Sequence, residues 1–306
     1  MNSCLQAILI TLDNITDINT SGSQLWELLL WLKNHTSFTP IDSTPIKDLL
    51  YYKEKQRIIY NNVDPHYRLF HFFSTTATTF EELDFETNTG GQQDCKDFFV
   101  CIGESKEHWQ DVFDLFKFSL KAFTVCTNCS GQSYSGASSE QMFVHLRAPM
   151  EPVSLNQLVS AKLEQPTTVQ GWRHENGCEM ITTGQNYTQI SNIREIKFLL
   201  VIIERLDRLD GHDQINNCAT PIDDLMILHD SDGIAATFQP IAVIHHAGGV
   251  VTATNDTMGH YMTDIFNTEA LQWYRTSDDE EPFPLDKPAD NGYVVIYKRC
   301  MEDYLN

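Results

Sequence analysis

Cys4 is a candidate nucleophile near the start of the chain, in the stretch MNSCLQAILITLDNI. Apolar residues follow it at helical spacing, and Asn2 and Ser3 can cap the helix with their side-chain oxygens. The spacing therefore predicts a helix whose first turn contains Cys4. There the free backbone amides and the helix dipole favour the thiolate, which is the reactive form of cysteine. The alternative is a buried cysteine that only packs in the core.

A cysteine nucleophile needs a histidine that takes its proton and a third group that orients the histidine. His260 stands out among the eleven histidines because it begins a predicted strand after a glycine-containing loop, in MGHYMTD. A second predicted strand follows at LQWYRTSDD. If the two strands fold back tightly about Thr268 and Glu269, Ser277 lies opposite His260 and Asp278 is its neighbour, so that an acid can reach the imidazole. The alternative is a half-exposed strand histidine without a catalytic role.

Cys126 and Cys129 form a CxxC motif in VCTNCSG, the spacing with which two thiolates share one tetrahedral zinc ion. Such a site needs two more ligands, and His174 and Cys178 in WRHENGCE are the nearest plausible pair. The alternative is that the two cysteines are small apolar residues and that His174 lies on the surface. Four further cysteines have no spacing partner and are interpreted as core residues: Cys95, Cys101, Cys218 and Cys300.

The composition is that of a globular protein of 306 residues, 42% hydrophobic, with a formal net charge of -21. This charge disfavours nucleic acid and anionic membranes and suits a basic partner. The sparse cysteines fit a reducing intracellular setting rather than a disulfide scaffold. No basic residue precedes the first apolar run, so no secretory signal is expected, and no stretch is long and apolar enough to span a bilayer. No phosphate-binding loop or dinucleotide fingerprint occurs.

The elements that must position these residues are predicted to be helices, a middle β insertion and then a mainly antiparallel sheet, an α+β arrangement. The first third is predicted to be mostly helical, with the helical period running through DCKDFFVCIGESKEHWQDVFDLFKFSL. Short β-like runs begin at about Phe118, and PVSLNQLVSAKLEQ returns to a helical pattern. After Asn192, the predicted strands are KFLLVIIERL, FQPIAVIHH, GHYMTDIF and GYVVIYKR. The acidic, proline-bearing SDDEEPFPLDKPADNG is predicted to be a surface loop.

Taken in order, these segments resemble the ubiquitin-specific proteases, a family of deubiquitinating cysteine peptidases. NSCLQAIL resembles the cysteine box, GGQQDCKDFF the second box, and KFSLKAFTVCTNCSGQSYS the start of the zinc-bearing fingers. A Ser-Leu helix follows at Ser154 and Leu155, and KFLLVIIERLD is similar to the palm strand that ends near a basic residue. FQPIAVIHHAGG, GHYMTD, QWYR and GYVVIYKR are similar to the histidine box through to the last strand. The resemblance spans nearly the whole chain.

The resemblance implies a papain-like fold with a helical thumb, an antiparallel β palm and zinc-ribbon-like β fingers. It implies one catalytic domain over residues 1–306. Within it, residues 1–118 would form the thumb, 119–192 the fingers and part of the palm, and 193–306 the β palm with the histidine box.

The resemblance also implies roles for individual residues. Cys4 would be the nucleophile, with its backbone amide in the oxyanion hole, and His260 the general base and later the acid. Cys126, Cys129, His174 and Cys178 would occupy the positions of the metal ligands in the fingers, and catalysis would need no cofactor.

Two departures from the family pattern leave roles open. The second asparagine, usually five residues before the cysteine, is expected to be missing, so Asn2 or a residue elsewhere takes its place or the oxyanion hole is weak. The family's acid lies four residues after the tryptophan, where this chain has Ser277. Asp278 is assigned as the acid, through a one-residue bulge, and Asp279 lies one place further on.

The activity that the resemblance implies is hydrolysis of the bond after the terminal glycine of ubiquitin, in the cytoplasm or nucleus. The partners would be conjugates of ubiquitin or of a ubiquitin-like protein, and acidic residues would bind the arginines of the modifier's tail. One alternative is a protease for a related modifier such as SUMO, or a peptidase that processes a polyprotein. The other is a catalytically dead module that binds ubiquitin.

Overall fold

The computed structural model describes residues 95–104, 110–134, 138–172, 182–209, 212–247, 260–267, 270–277 and 280–300. Residues 1–94, which include Asn2, Cys4 and the predicted N-terminal helices, lie outside this range. The α-helices described are α1 (Cys95–Glu104), α2 (Gln110–Phe116) and α3 (Leu155–Leu163). A short 3-10 helix covers Ile193–Glu195. No helix that the structure describes is long and apolar enough to cross a membrane.

The strands fall into two large sheets and one ribbon. Five strands form the smaller of the two large sheets: β1 (Phe118–Cys126), β2 (Gln132–Tyr134), β3 (Ser139–Gln141), β5 (Thr167–Trp172) and β6 (Thr182–Ser191). Eight strands form the larger: β4 (Phe143–Arg147), β7 (Phe198–Glu204), β10 (Met226–His229), β11 (Ala235–Ala247), β12 (His260–Asn267), β13 (Gln272–Ser277), β14 (Glu280–Leu285) and β15 (Gly292–Arg299). The ribbon pairs β8 (Leu206–Leu209) with β9 (His212–Ile215).

The eight-stranded sheet has the order β14-β13-β12-β11-β15-β7-β4, with β10 paired to β11. All its pairs are antiparallel except β4 with β7, which confirms the prediction of a mainly antiparallel sheet. The central strands β7 and β15 are almost wholly buried. Their uninterrupted apolar runs are typical of strands that are covered on both faces.

Helices cover both faces of this sheet. On one face, Leu155, Val159 and Leu163 of α3 belong to the same buried cluster as Val201 and Val295. On the other face lie α1 and α2, and Phe116 of α2 meets Phe198 of β7 edge to face at a ring-centroid distance of 6.4 Å. Each buried aliphatic or aromatic side chain stabilises the fold by about 1.5–3 kcal/mol.

Helix α3 begins as predicted at the Ser-Leu pair. The Ser154 hydroxyl accepts a hydrogen bond from the Gln157 amide at 3.3 Å and caps the helix. The predicted change to β structure at about Phe118 is confirmed, because β1 starts at Phe118 and residues 118–120 pair with β3 and β6. One other element prediction is wrong. The acidic segment predicted as a loop contains β14, which pairs with β13.

The described cysteines outside the CxxC motif are less uniformly buried than predicted. Cys95 is in the core, as expected, whereas Cys218 and Cys300 are half-buried. Both of these lie outside the strands, just beyond β9 and β15, where packing covers only part of a side chain.

Candidate active site

His260 lies at one end of the eight-stranded sheet, where several strands begin or finish. It is the first residue of β12 and pairs with Ala247, the last residue of β11. At the same end β7 finishes with Glu204, β13 finishes with Ser277 and β15 begins with Gly292. The buried apolar strands hold this end of the sheet in place. Five strands therefore begin or finish close to one another there: β7, β11, β12, β13 and β15.

The pairing of β12 with β13 differs from the tight hairpin that the sequence suggested. Asn267 pairs with Gln272, so four residues rather than two join the strands, and Ser277 falls level with Met262 instead of His260. The longer loop has a local cause. The Asn267 side chain accepts a hydrogen bond from the Ala270 amide at 2.9 Å, and Leu271 adopts a left-handed φ of 51°.

The predicted candidates for the group that orients His260 are Ser277, Asp278 and Asp279. Ser277 pairs with Glu280 of β14. Asp278 and Asp279 follow Ser277 in the sequence and lie outside the described residues, as do Cys4 and Asn2. The assignment of Asp278 stays a prediction.

Asp264 is a fully buried carboxylate that the sequence reasoning missed. It accepts hydrogen bonds from Arg275 Nε at 2.7 Å and Nη2 at 3.0 Å, and from the Ala289 amide at 2.7 Å. The His245 Nε2 atom lies 3.3 Å from its Oδ1 atom. Burial acts to raise the pKa of Asp264, but the bonds from Arg275, His245 and Ala289 outweigh it and lower the pKa below its ordinary value.

Asp264 is too distant to be the acid that orients His260. Four residues of a strand separate their Cα atoms by about 14 Å. Neither side chain can bridge such a gap, so Asp264 acts on other groups.

Three aromatic rings pack together beside the start of β12. Tyr261 and Tyr293 meet edge to face at 5.8 Å between centroids, and His246 lies 4.9 Å from Tyr261 and 6.0 Å from Tyr293. Gly292, next to Tyr293, lets β15 lie close to β11, because a Cβ atom there would lie only 2.9 Å from Val243 Cγ1. The cluster places three aromatic rings together at this end of the sheet.

Arg205 is the basic residue at the end of β7 and is almost fully buried. Its Nε donates to the Gly292 carbonyl at 2.8 Å, and its Nη1 donates to the Asn216 carbonyl at 3.1 Å and the Cys218 carbonyl at 2.8 Å. A further bond joins Nη2 to the Thr220 hydroxyl. Burial lowers the pKa of Arg205. The guanidinium thus fastens the segment after β9 to the first residue of β15.

Cys126 and Cys129 lie at one end of the five-stranded sheet, in a tight turn. The Cys126 amide donates to the Gly131 carbonyl at 2.9 Å, the Ser130 amide donates to the Cys126 carbonyl at 3.0 Å, and Ser130 has a left-handed φ of 58°. The Gly131 amide donates to Cys129 Sγ at 3.4 Å, the kind of bond that orients the side chain of a metal ligand. The turn therefore suits the chemistry of a metal ligand.

Trp172 and Thr182, the described residues on either side of the other predicted ligands, lie toward the same end of this sheet. Cys126 pairs with Gly184 of β6, and Thr182 of β6 pairs with Trp172 of β5. His174 and Cys178 belong to the segment that joins Trp172 to Thr182, which lies outside the described residues. Among the residues that the structure does describe, no three potential ligands form a metal cluster.

No protein-family model matches the sequence, and no curated protein matches it. Solved structures of the SAGA DUB module, which contains Ubp8, Sgf11, Sus1 and Sgf73, do match. A yeast module with a mutant Sgf73 is 14% identical and aligns with a TM-score of 0.57, covering 98% of this chain and 66% of its counterpart. The module bound to ubiquitin aldehyde is 15% identical with a TM-score of 0.56, covering 98% and 67%. The module bound to monoubiquitin is 14% identical with a TM-score of 0.57, covering 98% and 66%.

These matches establish a likeness of fold. The chain is mostly β-sheet with few helices in its described part and is similar to the fold of Ubp8, a ubiquitin-specific protease. At the level of the fold, these structural matches confirm the family resemblance that the sequence motifs suggested. The chain spans about two thirds of the length of the matched chains.

Proposed function

We propose that the protein is a deubiquitinase, a thiol-dependent isopeptidase that hydrolyses the bond after the C-terminal glycine of ubiquitin. One observation carries the proposal: a likeness of fold to a deubiquitinase, in an alignment that covers 98% of the chain, together with the position of His260 as the first residue of a strand at the end of the sheet. The neighbour with this fold is itself bound to ubiquitin aldehyde.

In the proposed reaction, His260 accepts the proton of the Cys4 thiol, and the thiolate attacks the carbonyl carbon of the isopeptide bond. The backbone amide of Cys4, with Asn2, donates hydrogen bonds to the resulting oxyanion. The intermediate collapses, the lysine amine leaves with the proton from His260, and a thioester remains. Water, activated by His260, then hydrolyses the thioester to the ubiquitin carboxylate and frees Cys4. Asp278 orients the imidazole.

The proposed architecture is papain-like. The eight-stranded sheet forms the palm, and the five-stranded sheet forms the fingers. Helices α1 and α2, which pack on one face of the larger sheet, belong to the thumb with the residues before them. The division into residues 1–118, 119–192 and 193–306 follows this scheme.

We propose that Cys126, Cys129, His174 and Cys178 hold a structural zinc ion. The hydrogen bond from the Gly131 amide to Cys129 Sγ supports this site. The pairing of Trp172 with Thr182, the described residues on either side of the segment that contains His174 and Cys178, also supports it, since it lies toward the end of the sheet where Cys126 pairs with Gly184. Zinc would cross-link the two connections and play no part in hydrolysis.

The natural partners of the proposed enzyme are ubiquitin conjugates inside the cell. The formal charge of -21 suits the basic tail of the modifier. Acidic side chains would bind the arginines of that tail by paired hydrogen bonds.

Hydrolysis of ubiquitin carrying a C-terminal fluorogenic group tests the proposed activity. We expect turnover by the wild type, and no turnover by Cys4→Ala or His260→Gln. Cys218→Ser is the matched control, because it removes a half-buried cysteine outside the proposed site. An inert wild type, or undiminished turnover by Cys4→Ala, would disprove the mechanism.

A catalytically dead ubiquitin-binding module is the second candidate. The register of β12 and β13 favours it, because Ser277 stands at the family's acid position and lies level with Met262 rather than His260. This candidate predicts measurable ubiquitin binding without formation of a thioester at Cys4. Detection of the thioester would eliminate it.

A further inference from the structure

Asp264 joins three strands and one connecting segment through a single carboxylate. It pairs directly with Val243 of β11 and with Arg275 of β13, so the three residues share one face of the sheet. His245 lies two residues along β11 on the same face. The segment between β14 and β15 adds the Ala289 amide from above this face. The buried carboxylate of Asp264 thus has donors from β11, from β13 and from the segment between β14 and β15.

The hydrogen bonds to the Asp264 carboxylate hold its donor residues in place. An ionised carboxylate is costly to bury unless its charge and its lone pairs are satisfied. Here the Arg275 guanidinium donates two hydrogen bonds, a geometry that fixes both distance and orientation. A shift of β12 relative to β13 would break the two bonds from Arg275, and a shift relative to β11 would break the contact with His245. The network therefore fixes the register of β11, β12 and β13 at this point.

The network of Asp264, Arg275 and His245 lies close to His260 in the sheet. His245 pairs with Met262, and the next pair toward the end of the sheet on this face is Ala247 with His260. Diagonal positions in an antiparallel pair are about 7–8 Å apart. A slip of β12 by one residue would carry the His260 backbone about 3.4 Å along the strand. A displacement of only 1 Å in a catalytic group can cost about 100-fold in rate.

We propose that Asp264 is a positioning residue of the hydrolase, which acts through His245 and Arg275 to hold the start of β12 and with it His260. This inference rests on the proposed function, in which His260 is the general base. Asp264 does not touch the reacting atoms. Its contribution is the placement of the strand that carries the base.

Substitution by the isosteric amide tests this role. We expect Asp264→Asn to lower kcat by about 10- to 100-fold while KM stays within about twofold, because the base is displaced and the surface that binds ubiquitin is not. The matched control is Asp230→Asn. Asp230 is also buried and accepts two backbone hydrogen bonds, but it lies at the opposite end of β11, and we expect kcat within about twofold of wild type. An unchanged kcat in Asp264→Asn, or equal losses in both variants, would overturn the proposal.

Substitutions at His245 distinguish the effect of the hydrogen bond to Asp264 from the effect of side-chain packing. His245→Gln keeps an N–H donor near Asp264, whereas His245→Leu removes it. We expect His245→Gln to retain most of kcat and His245→Leu to lower kcat as much as Asp264→Asn does. Equal kcat in the two His245 variants would contradict the positioning role.

If Asp264→Asn does not fold, Arg275→Lys takes its place, since it keeps the positive charge and loses the two-bond geometry. A wild-type kcat in Arg275→Lys would count against the proposal.

A spectroscopic measurement tests the positioning role even if the wild type proves inert. In protein with carbon-13-labelled histidine, the imidazole resonance of His260 is identified by its loss in His260→Gln. We expect this resonance to shift in Asp264→Asn and to stay in place in Asp230→Asn. An inert wild type with that shift would end the proposed function and keep the positioning role. No shift would end the positioning role.

Discussion

Two buried charged residues, Asp264 and Arg205, hold separate parts of the chain together. Asp264 and Arg205 are both almost inaccessible, and each binds segments that are far apart in the sequence. Alternation along YMTDIF identifies a strand but does not reveal that its aspartate is the buried polar residue. The burial of Asp264 beside Arg275 follows only from the register of β12 and β13, and this register depends on the length of the loop that joins the two strands.

The lowered pKa of Asp264 predicts how stability depends on pH. A carboxylate with a depressed folded pKa stabilises the protein above its unfolded pKa, near 3.8, and this stability is lost as the pH falls through the folded pKa. We expect Asp264→Asn to unfold more readily at pH 7, by about 3 kcal/mol. The deficit relative to wild type should shrink as the pH falls below 3.8. Urea unfolding at a series of pH values measures both effects, and a deficit that is constant with pH would contradict the assignment.

The elements were predictable where one physical pattern decided them. The apolar runs of β7 and β15 identified these strands, and the helical pattern of PVSLNQLVSAKLEQ identified α3, whose start at the Ser154–Leu155 pair came from the family resemblance. The β12–β13 hairpin was not predictable, because its register depends on the bond of the Asn267 side chain and on the left-handed Leu271. Strand β14 was hidden by its prolines and acidic residues, which are typical of loops and also occur in strands at the edge of a sheet.

The end of the five-stranded sheet yields a prediction about metal. We expect about one zinc ion per chain in the wild type and none in Cys126→Ser or Cys129→Ser, since a tetrahedral site needs all its thiolates. Cys300→Ser, which removes a half-buried cysteine elsewhere, should keep the ion. Elemental analysis of purified protein measures this. Zinc retained in both motif variants, or absent from the wild type, would refute the site.

At the scale of the whole molecule, the sheet that bears His260 is covered by helices on both faces and carries the proposed chemistry at one end. Such a scaffold resists distortion because its central strands are buried on both sides. The proposed nucleophile comes from the opposite end of the chain. The motif order predicted this Cys-His combination, and the fold likeness supports the family from which it was taken.

The acidic character of the chain predicts a dependence on salt. If acidic side chains attract the basic tail of ubiquitin, raising the salt concentration from about 0.1 M to 1 M shortens the screening length from about 10 Å to about 3 Å. We expect KM for a fluorogenic ubiquitin substrate to rise several-fold. The reaction of Cys4 with a small neutral thiol reagent is the control and should change little. A KM independent of salt would argue against electrostatic recognition.

The most direct test is covalent labelling by ubiquitin that carries a thiol-reactive group at its C-terminus, followed by mapping of the modified residue. A deubiquitinase with Cys4 as nucleophile predicts one ubiquitin per chain, attached at Cys4, and no labelling of Cys4→Ala. Parallel probes made from SUMO should label weakly or not at all. Attachment at another cysteine, or no labelling of the wild type, would contradict the proposed mechanism.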